Sequence, residues 1–422
     1  MNSTRLADHA DARTQPATRA SPLHGGSGER RACATTAAAS PSPATPRAFS
    51  CRCGRPVFFG NSECLSCGSA LGYDAGRQRL LPLDEASADA APQTAQGRPG
   101  AGSRFWREAG ASIATTYRRC SNLDTAAACN WLVPTDDPFA GEPPLCRCCR
   151  LTRVVPDTSL DNGALWWNRI ESAKRRLVSS LLGLKLPVSS KVNEDSDRGL
   201  VFDLLRSPPG GPPVVTGHAD GVITIDVEEA DDAVREARRT ALDEPYRTLL
   251  GHLRHESGHY YWSRLVQGSA WLEPWRRVFG DERRDYAAAL KHHHESGVPT
   301  DWRLGFVSGY ASSHPWEDWA ETWAHYLHMV DTLDTARSFG LDGERVELCY
   351  ERFGLEALDD AGAGSAGARH FLGLVHSWME LTGVLNELSR SMGVPDFYPF
   401  VLSVPALRKL HLVHRVITEA PR

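Results

Sequence analysis

The stretch His255-Glu256-Ser257-Gly258-His259 has the pattern HExxH, in which two histidines lie four residues apart and a glutamate follows the first. Residues four apart project from the same side of an α-helix, so both imidazoles can reach one metal ion. The glutamate then points toward the open position of a tetrahedral zinc, where it can take a proton from a bound water. The spacing predicts a zinc site with Glu256 as its general base.

The surrounding sequence favours a helix. Asp243 can cap its N-terminus, and Pro245 fits the first turn, where a missing N–H costs little. Gly268 follows as a stop signal. The competing interpretation of the motif is a solvated helical turn with two surface histidines.

Catalytic zinc needs a third protein ligand and an open fourth position. A metzincin places a histidine six residues after the second one, and Leu265 at that position excludes the class. His314 and His325 are rival third ligands, but a pair of downstream glutamates is the better candidate.

The glutamate pair is Glu317 and Glu321, one turn apart on a helix that Pro315 can open. One of the two carboxylates can ligate the metal. The other can accept the free N–H of a ligating histidine, which fixes the orientation of that ring.

HExxH followed by E-x-x-A-E on a later helix resembles the gluzincin branch of the zincin-like metallopeptidases. The resemblance implies that Glu317 is the third zinc ligand and that Glu321 is the carboxylate behind a zinc-bound histidine. Tyr310, seven residues before Glu317, is similar to the tyrosine with which lethal-factor-like members stabilise the oxyanion.

A longer resemblance covers about residues 48–419. It includes the strings HESGHYYW and YASSHPWEDWAETWAHYLH, and it more narrowly resembles the bacterial family of putative zinc-binding metallopeptidases with an N-terminal zinc ribbon. It implies an α+β fold, in which a mainly helical zincin-like domain with a small antiparallel sheet follows a small zinc-ribbon domain.

Two sets of cysteines have the spacing of structural zinc sites. The first is Cys51, Cys53, Cys64 and Cys67, and the second is Cys120, Cys129, Cys146 and Cys149. Paired cysteine hooks can close around one zinc, and four thiolates leave no position for catalysis. Disulfides are the alternative for the first set. For the second, a buried cysteine cluster without metal is the alternative, and Cys148 is a spare that could replace a neighbour.

Composition divides the chain into three parts. Residues 1–47 have few large apolar side chains and predict a disordered tail. Residues 48–150 form the zinc-ribbon region, with a linker at 77–103, and residues 151–422 form the metallopeptidase domain. Residues 214–227 alternate in polarity and predict a hairpin, with Gly221–Asp226 as the sheet edge that would pair with an extended peptide.

Charge and hydropathy limit the partners. A formal net charge of −5 argues against a general nucleic-acid binder. No run of 18 apolar residues exists, so we expect no membrane span, and the N-terminus lacks the apolar region of a signal peptide. We therefore expect a cytoplasmic location. Disulfides are rare there, so clustered cysteines indicate metal ligands.

Five arginines flank the second cysteine set: Arg118, Arg119, Arg147, Arg150 and Arg153. They could meet the phosphates of a nucleic acid or an acidic peptide, or they could form an ordinary solvated basic face. The zinc ribbon could thus bind a protein or nucleic-acid partner.

The sequence predicts a zinc-dependent metallopeptidase whose substrate is a peptide or protein of unknown identity. We expect one catalytic zinc and two structural zincs. The alternative is a zinc-ribbon binding or scaffold protein with a structural or vestigial HExxH site, although the intact Glu256 argues against it. A zinc hydrolase acting on a non-peptide amide is a third possibility.

Overall fold

The computed structural model describes residues 45–86, 104–111, 115–208, 210–241, 247–341, 346, 348, 350–358 and 366–420. Some predicted features lie outside these residues. They are the tail up to residue 44, the linker over 87–103, and the helix cap assigned to Asp243 and Pro245.

The cysteine-rich region is built from short antiparallel strands. A two-stranded sheet pairs β1 (Phe49–Ser50) with β2 (Pro56–Val57). A five-stranded sheet follows in chain order, with β3 (Leu71–Asp74), β4 (Arg79–Ala86), β5 (Phe105–Glu108), β6 (Tyr117–Arg119) and β7 (Leu132–Pro134). The linker prediction is therefore wrong over residues 79–86, because this segment pairs on both sides and buries Leu80, Leu81 and Leu83.

A second, four-stranded sheet lies beside the helices. Its strands are β8 (Thr152–Val154), β9 (Val201–Leu205), β10 (Gly217–Ala219) and β11 (Val222–Asp226), in the order β10-β11-β9-β8. The predicted hairpin is present as the antiparallel pair β10–β11, but β11–β9 and β9–β8 are parallel. The sheet is therefore mixed where an antiparallel one was expected. The edge assignment was also wrong, since β11 is interior and the edge strands are β10 and β8.

The α-helices of the described residues all lie in the C-terminal two-thirds of the chain. They are α1 (Gly163–Gly183), α2 (Asp232–Ala241), α3 (Leu249–Tyr261), α4 (Leu272–Phe279), α5 (Tyr286–Ser296), α6 (Pro315–Ser338), α7 (Ala366–Ser391) and α8 (Val404–Glu419). The chain is thus a mixed α+β protein. Within the described residues, none of these helices has the length and hydropathy needed to cross a membrane.

Local sequence explains where the two central helices begin. The side chain of Thr248 accepts a hydrogen bond from the backbone N–H of Gly251, which caps α3. Pro315 occupies the first turn of α6, as predicted, and the ring of His314 accepts from the backbone N–H of Trp316.

Helices α3 and α6 are in close contact at Gly258. The indole N–H of Trp319 donates to the carbonyl of Gly258 at 2.9 Å, and that of Trp323 donates to Ser257 Oγ at 3.1 Å. A glycine is needed there, because a Cβ at position 258 would lie 2.9 Å from the Cα of Ala320. The absence of a side chain therefore sets the distance between the two helices.

One hydrophobic core runs from Cys51 in the cysteine-rich region to Ala420 after α8. A buried charge cluster adds to this connection. The carboxylate of Asp331 on α6 accepts from Arg47, Arg176 and Arg254. Thr45 is also buried, and its N–H donates to Asp334. Thr45 and Arg47 were assigned to the disordered tail, so that prediction is wrong at its C-terminal end.

We expect Gly258→Ala to lower the free energy of unfolding by about 1–3 kcal/mol, because backbone atoms of α6 must move to admit the methyl group. Gly373→Ala on α7 is the matched control, since a Cβ there meets nothing within 4 Å. That change should be neutral or stabilising by up to about 1 kcal/mol. Guanidinium titrations followed by circular dichroism measure the free energy of unfolding of both variants. Equal values for the two would contradict a close contact between α3 and α6 at Gly258.

Candidate metal centre

The two central helices bring three potential metal ligands together: His255 and His259 from α3 and Glu317 from α6. His255 Nε2 lies 3.1 Å from Glu317 Oε2 and 3.2 Å from His259 Nε2. His259 Nε2 lies 3.6 Å from Glu317 Oε1. Ligand atoms at normal distances from a tetrahedral zinc are about 3.3 Å apart. The three side chains therefore fit one zinc ion without rearrangement, and all three are buried.

Glu321 lies behind His255, on the side away from the other two ligands. The ring Nδ1–H of His255 donates to Glu321 Oε1 at 2.7 Å, and Ser308 Oγ donates to Glu321 Oε2 at 2.6 Å. Burial would raise the pKa of Glu321, but the hydrogen bond and charge of His255 outweigh burial and lower it to about 2. Glu321 is therefore an ionised acceptor that leaves Nε2 of His255 facing Glu317.

A tyrosine on α5 contacts the carboxylate of Glu317. The hydroxyl of Tyr286 donates to Glu317 Oε1 at 2.7 Å. Burial opposes ionisation of Glu317, yet the neighbouring His259 and His255 hold its pKa well below the usual value. Tyr286 was not predicted from the sequence, because no spacing rule connects α5 to α6.

Glu256 is buried in the same site, and its two oxygens have different surroundings. Oε1 lies 3.3 Å from Nε2 of His252, one turn earlier on α3. Oε2 is buried and has no hydrogen-bond partner among the described residues. A buried carboxylate oxygen without a partner is costly in an ordinary core. Oε2 is therefore available to accept a proton from a reactant at the metal site.

His252 connects Glu256 to a second carboxylate. Its Nδ1 is in hydrogen-bonding contact with Glu229 Oε2. Burial lowers the pKa of His252, but Glu229 and Glu256 have the larger effect and raise it to about 9. His252 was not predicted as a site residue, although its position four residues before Glu256 was a usable signal.

Tyr310 lies at the edge of the site, in a short 3₁₀ turn before α6. Its ring centroid is 6.0 Å from that of His255 and 6.0 Å from that of His293 on α5. Burial, followed by the charge of Glu317, raises the pKa of Tyr310 well above its ordinary value. The hydroxyl therefore stays protonated and can act as a donor.

The rival ligands point elsewhere. His314 caps α6 through Nδ1, and its Nε2 donates to the carbonyl of Arg284 at 3.2 Å. His325 is in hydrogen-bonding contact with the hydroxyl of Tyr398, and burial lowers its pKa to about 4. Neither belongs to the group of three ligands.

Both cysteine sets converge in space. In the first, the Sγ atoms of Cys51 and Cys67 are 3.6 Å apart, and those of Cys53 and Cys64 are 3.8 Å apart. The second consists of Cys120, Cys129, Cys146 and Cys149. Sulfur atoms around one tetrahedral zinc are about 3.8 Å apart, so both clusters have the spacing of a four-thiolate site.

Cys148 lies outside the second cluster, although it is fully buried. Burial raises the pKa of its thiol well above the usual value, and the nearby Lys174 acts in the opposite direction. Lys174 is itself paired with Glu171 at 2.7 Å. The geometry therefore does not include Cys148 among the ligands.

The five flanking arginines all contact acceptors within the protein. Arg150 and Arg153 pair with acidic side chains, as does Arg118 with Glu142. Arg119 and Arg147 donate to backbone carbonyls. A phosphate would have to compete with these contacts.

Comparison with known proteins finds matches for both regions of the chain. Residues 48–160 match a zinc-ribbon domain. Uncharacterized proteins of Mycobacterium tuberculosis and Mycobacterium bovis are 42% identical to the chain over 375 residues, which cover 88% of this chain and 96% of each relative. No solved structure matches. Residues 164–416, more than half of the chain, match the family described as "Putative zinc-binding metallo-peptidase", and the chain belongs to that family.

Proposed function

We propose that the protein is a zinc metallopeptidase of the gluzincin type, which hydrolyses peptide bonds at the centre formed by His255, His259 and Glu317. The observation that carries this proposal is the combination of three correctly spaced ligands with a buried, unpartnered oxygen of Glu256 beside them. A purely structural zinc would have a fourth protein ligand, and it would not require a general base beside it. Zinc, when bound, lowers the pKa of a coordinated water and polarises a carbonyl group.

The residues of the chain supply the remaining chemistry. Glu256 accepts the proton of the attacking water through Oε2 and delivers it to the leaving amine. Tyr310, protonated and next to His255, donates to the oxyanion that develops on the substrate carbonyl. Glu321 keeps the ring of His255 in the orientation that directs Nε2 to the metal.

We further propose that the two four-cysteine clusters each hold a structural zinc, which makes three zincs per chain. Their sulfur spacing supports this number, as does the zinc-ribbon match over residues 48–160. The unfolded chain has no preformed site, so zinc bound at the two clusters would add its binding energy to the folding energy of this region.

Native mass spectrometry tests the zinc count. The full chain should carry three zincs, and Cys64→Ser, Cys146→Ser and His259→Ala should each carry two, because each change removes one ligand from a different site. Cys148→Ala is the control for a buried cysteine outside the clusters and should keep three. Loss of a zinc from Cys148→Ala would show that the ligand set of the second cluster is wrong.

The base assignment is tested by digestion of a peptide library followed by mass spectrometry. Glu256→Gln should retain the zinc of the site while cleavage slows about 10²–10⁴-fold, since the amide cannot accept the proton. Glu236→Gln on α2 is the matched control at an exposed position and should cleave normally. Undiminished cleavage by Glu256→Gln would refute its role, and a wild-type protein that binds zinc but cleaves no peptide would favour the scaffold alternative.

For Tyr310→Phe we expect kcat to fall about 10²–10³-fold with KM and zinc content unchanged, because the hydroxyl acts on charge that develops only in the transition state. Tyr350→Phe, which removes a hydroxyl bonded to Glu380 on α7, is the control and should leave kcat unchanged. If Tyr310→Phe instead loses zinc, the hydroxyl of Tyr310 is needed for the structure of the metal site and does not act on the substrate.

A further inference from the structure

A continuous chain of polar contacts leads away from Glu256 on the side opposite its unpartnered oxygen. Nε2 of His252 lies 3.3 Å from Glu256 Oε1, and Nδ1 of the same ring contacts Glu229 Oε2. His252 and Glu256 are four residues apart on α3, so their side chains project from the same side of the helix. Each ring nitrogen thus faces a carboxylate oxygen.

Glu229 is a fixed anchor for this ring. Its side chain is buried, and its other oxygen, Oε1, accepts from Thr216 Oγ1 at 3.0 Å and from Arg238 at 3.2 Å. Glu229 belongs to the short 3₁₀ turn Val227–Ala230, which directly follows β11. The position of the ring is therefore set by the sheet as well as by α3.

A polar contact at one oxygen of a carboxylate restricts the rotation of the whole group. The anchored ring nitrogen 3.3 Å from Oε1 favours the orientation of Glu256 in which Oε2 is the oxygen available to a reactant. Reactive groups lose efficiency when their orientation is left free, because geometry must hold to within about 0.5 Å and 10–20°. An ordinary core histidine would also bind two acceptors, but it would not explain why Oε2 is left without one.

We propose that His252, anchored by Glu229, is a positioning residue that holds Glu256 with Oε2 directed into the metal site. This inference rests on the proposed function, since it assigns the partner of the base in that reaction. It extends the machinery from α3 and α6 to the sheet, and it gives β11 and the following turn a part in catalysis.

Acetohydroxamic acid is a probe that needs no knowledge of the substrate. A hydroxamic acid would bind as its anion to a zinc held by His255, His259 and Glu317. Only its O–H bond would ionise, with the N–O bond intact, and Glu256 Oε2 would take up the proton. Its Kd, measured by calorimetry on the full zinc-loaded chain, therefore depends on the orientation of Glu256. Native mass spectrometry on the same samples reports the zinc content separately.

We expect His252→Phe, which keeps a ring but removes both donors, to weaken acetohydroxamic acid binding about tenfold to a hundredfold with three zincs retained. His252→Gln should restore most of the affinity, because its amide N–H₂ can reach Glu256 Oε1 as Nε2 does. Glu229→Gln should give an intermediate loss. His370→Phe, an exposed histidine on α7, is the matched control and should bind like the wild type. With a cleavable peptide, His252→Phe should lower kcat and leave KM unchanged.

The outcomes separate this inference from the proposal on which it rests. If Glu256→Gln weakens binding of the probe and His252→Phe does not, the positioning role is wrong and the proposed function stands. If Glu256→Gln has no effect on the probe, both are wrong. If His252→Phe loses zinc or unfolds and His252→Gln does the same, the residue is structural and the inference is overturned.

Discussion

The close contact between α3 and α6 at Gly258 is the constraint on which the metal centre depends. Glu317 comes within hydrogen-bonding distance of His255 because no side chain separates the helices at this point and because two indole N–H groups bind the backbone and side chain of α3. The same contact places Glu321 against the other nitrogen of His255. The contact between α3 and α6 therefore determines both which side chains can bind the metal and how the ring of His255 is oriented.

The HExxH helix is anchored by buried charge on two further sides. Through His252 it contacts Glu229 and the turn after β11. Through Arg254 it reaches Asp331, whose carboxylate also accepts from Arg47. Burial opposes the ionisation of Asp331, but the three guanidiniums hold its pKa far below the usual value. These contacts tie the residues before the first cysteine cluster to the helix that carries the ligands, so the cysteine-rich region and the metal centre share one framework.

Patterns of local spacing predicted most of the candidate site, and contacts between distant segments explain what was missed. The two histidines, the glutamate pair and the cysteine hooks could be read because each falls within a few residues of its partner. His252 obeys the same helical spacing and could have been found, whereas Tyr286 reaches Glu317 across 31 positions with no motif between them.

The hairpin β10–β11 could be predicted from the sequence, but its parallel pairing with β9 could not, so the sheet edge was placed on the wrong strand. Strand β4 was taken for a linker because only its pairing with β3 and β5 gives it structure.

We propose that His255, His259 and Glu317 hold a zinc ion with a position left open for a reactant. Diffraction from crystals of the full chain, measured just above and just below the zinc absorption edge, tests this assignment. We expect three anomalous peaks, one of them bounded by Nε2 of both histidines and an oxygen of Glu317, with Glu256 Oε2 facing its open side. Peaks at the two cysteine clusters alone, with His255, His259 and Glu317 in the same arrangement, would refute the assignment.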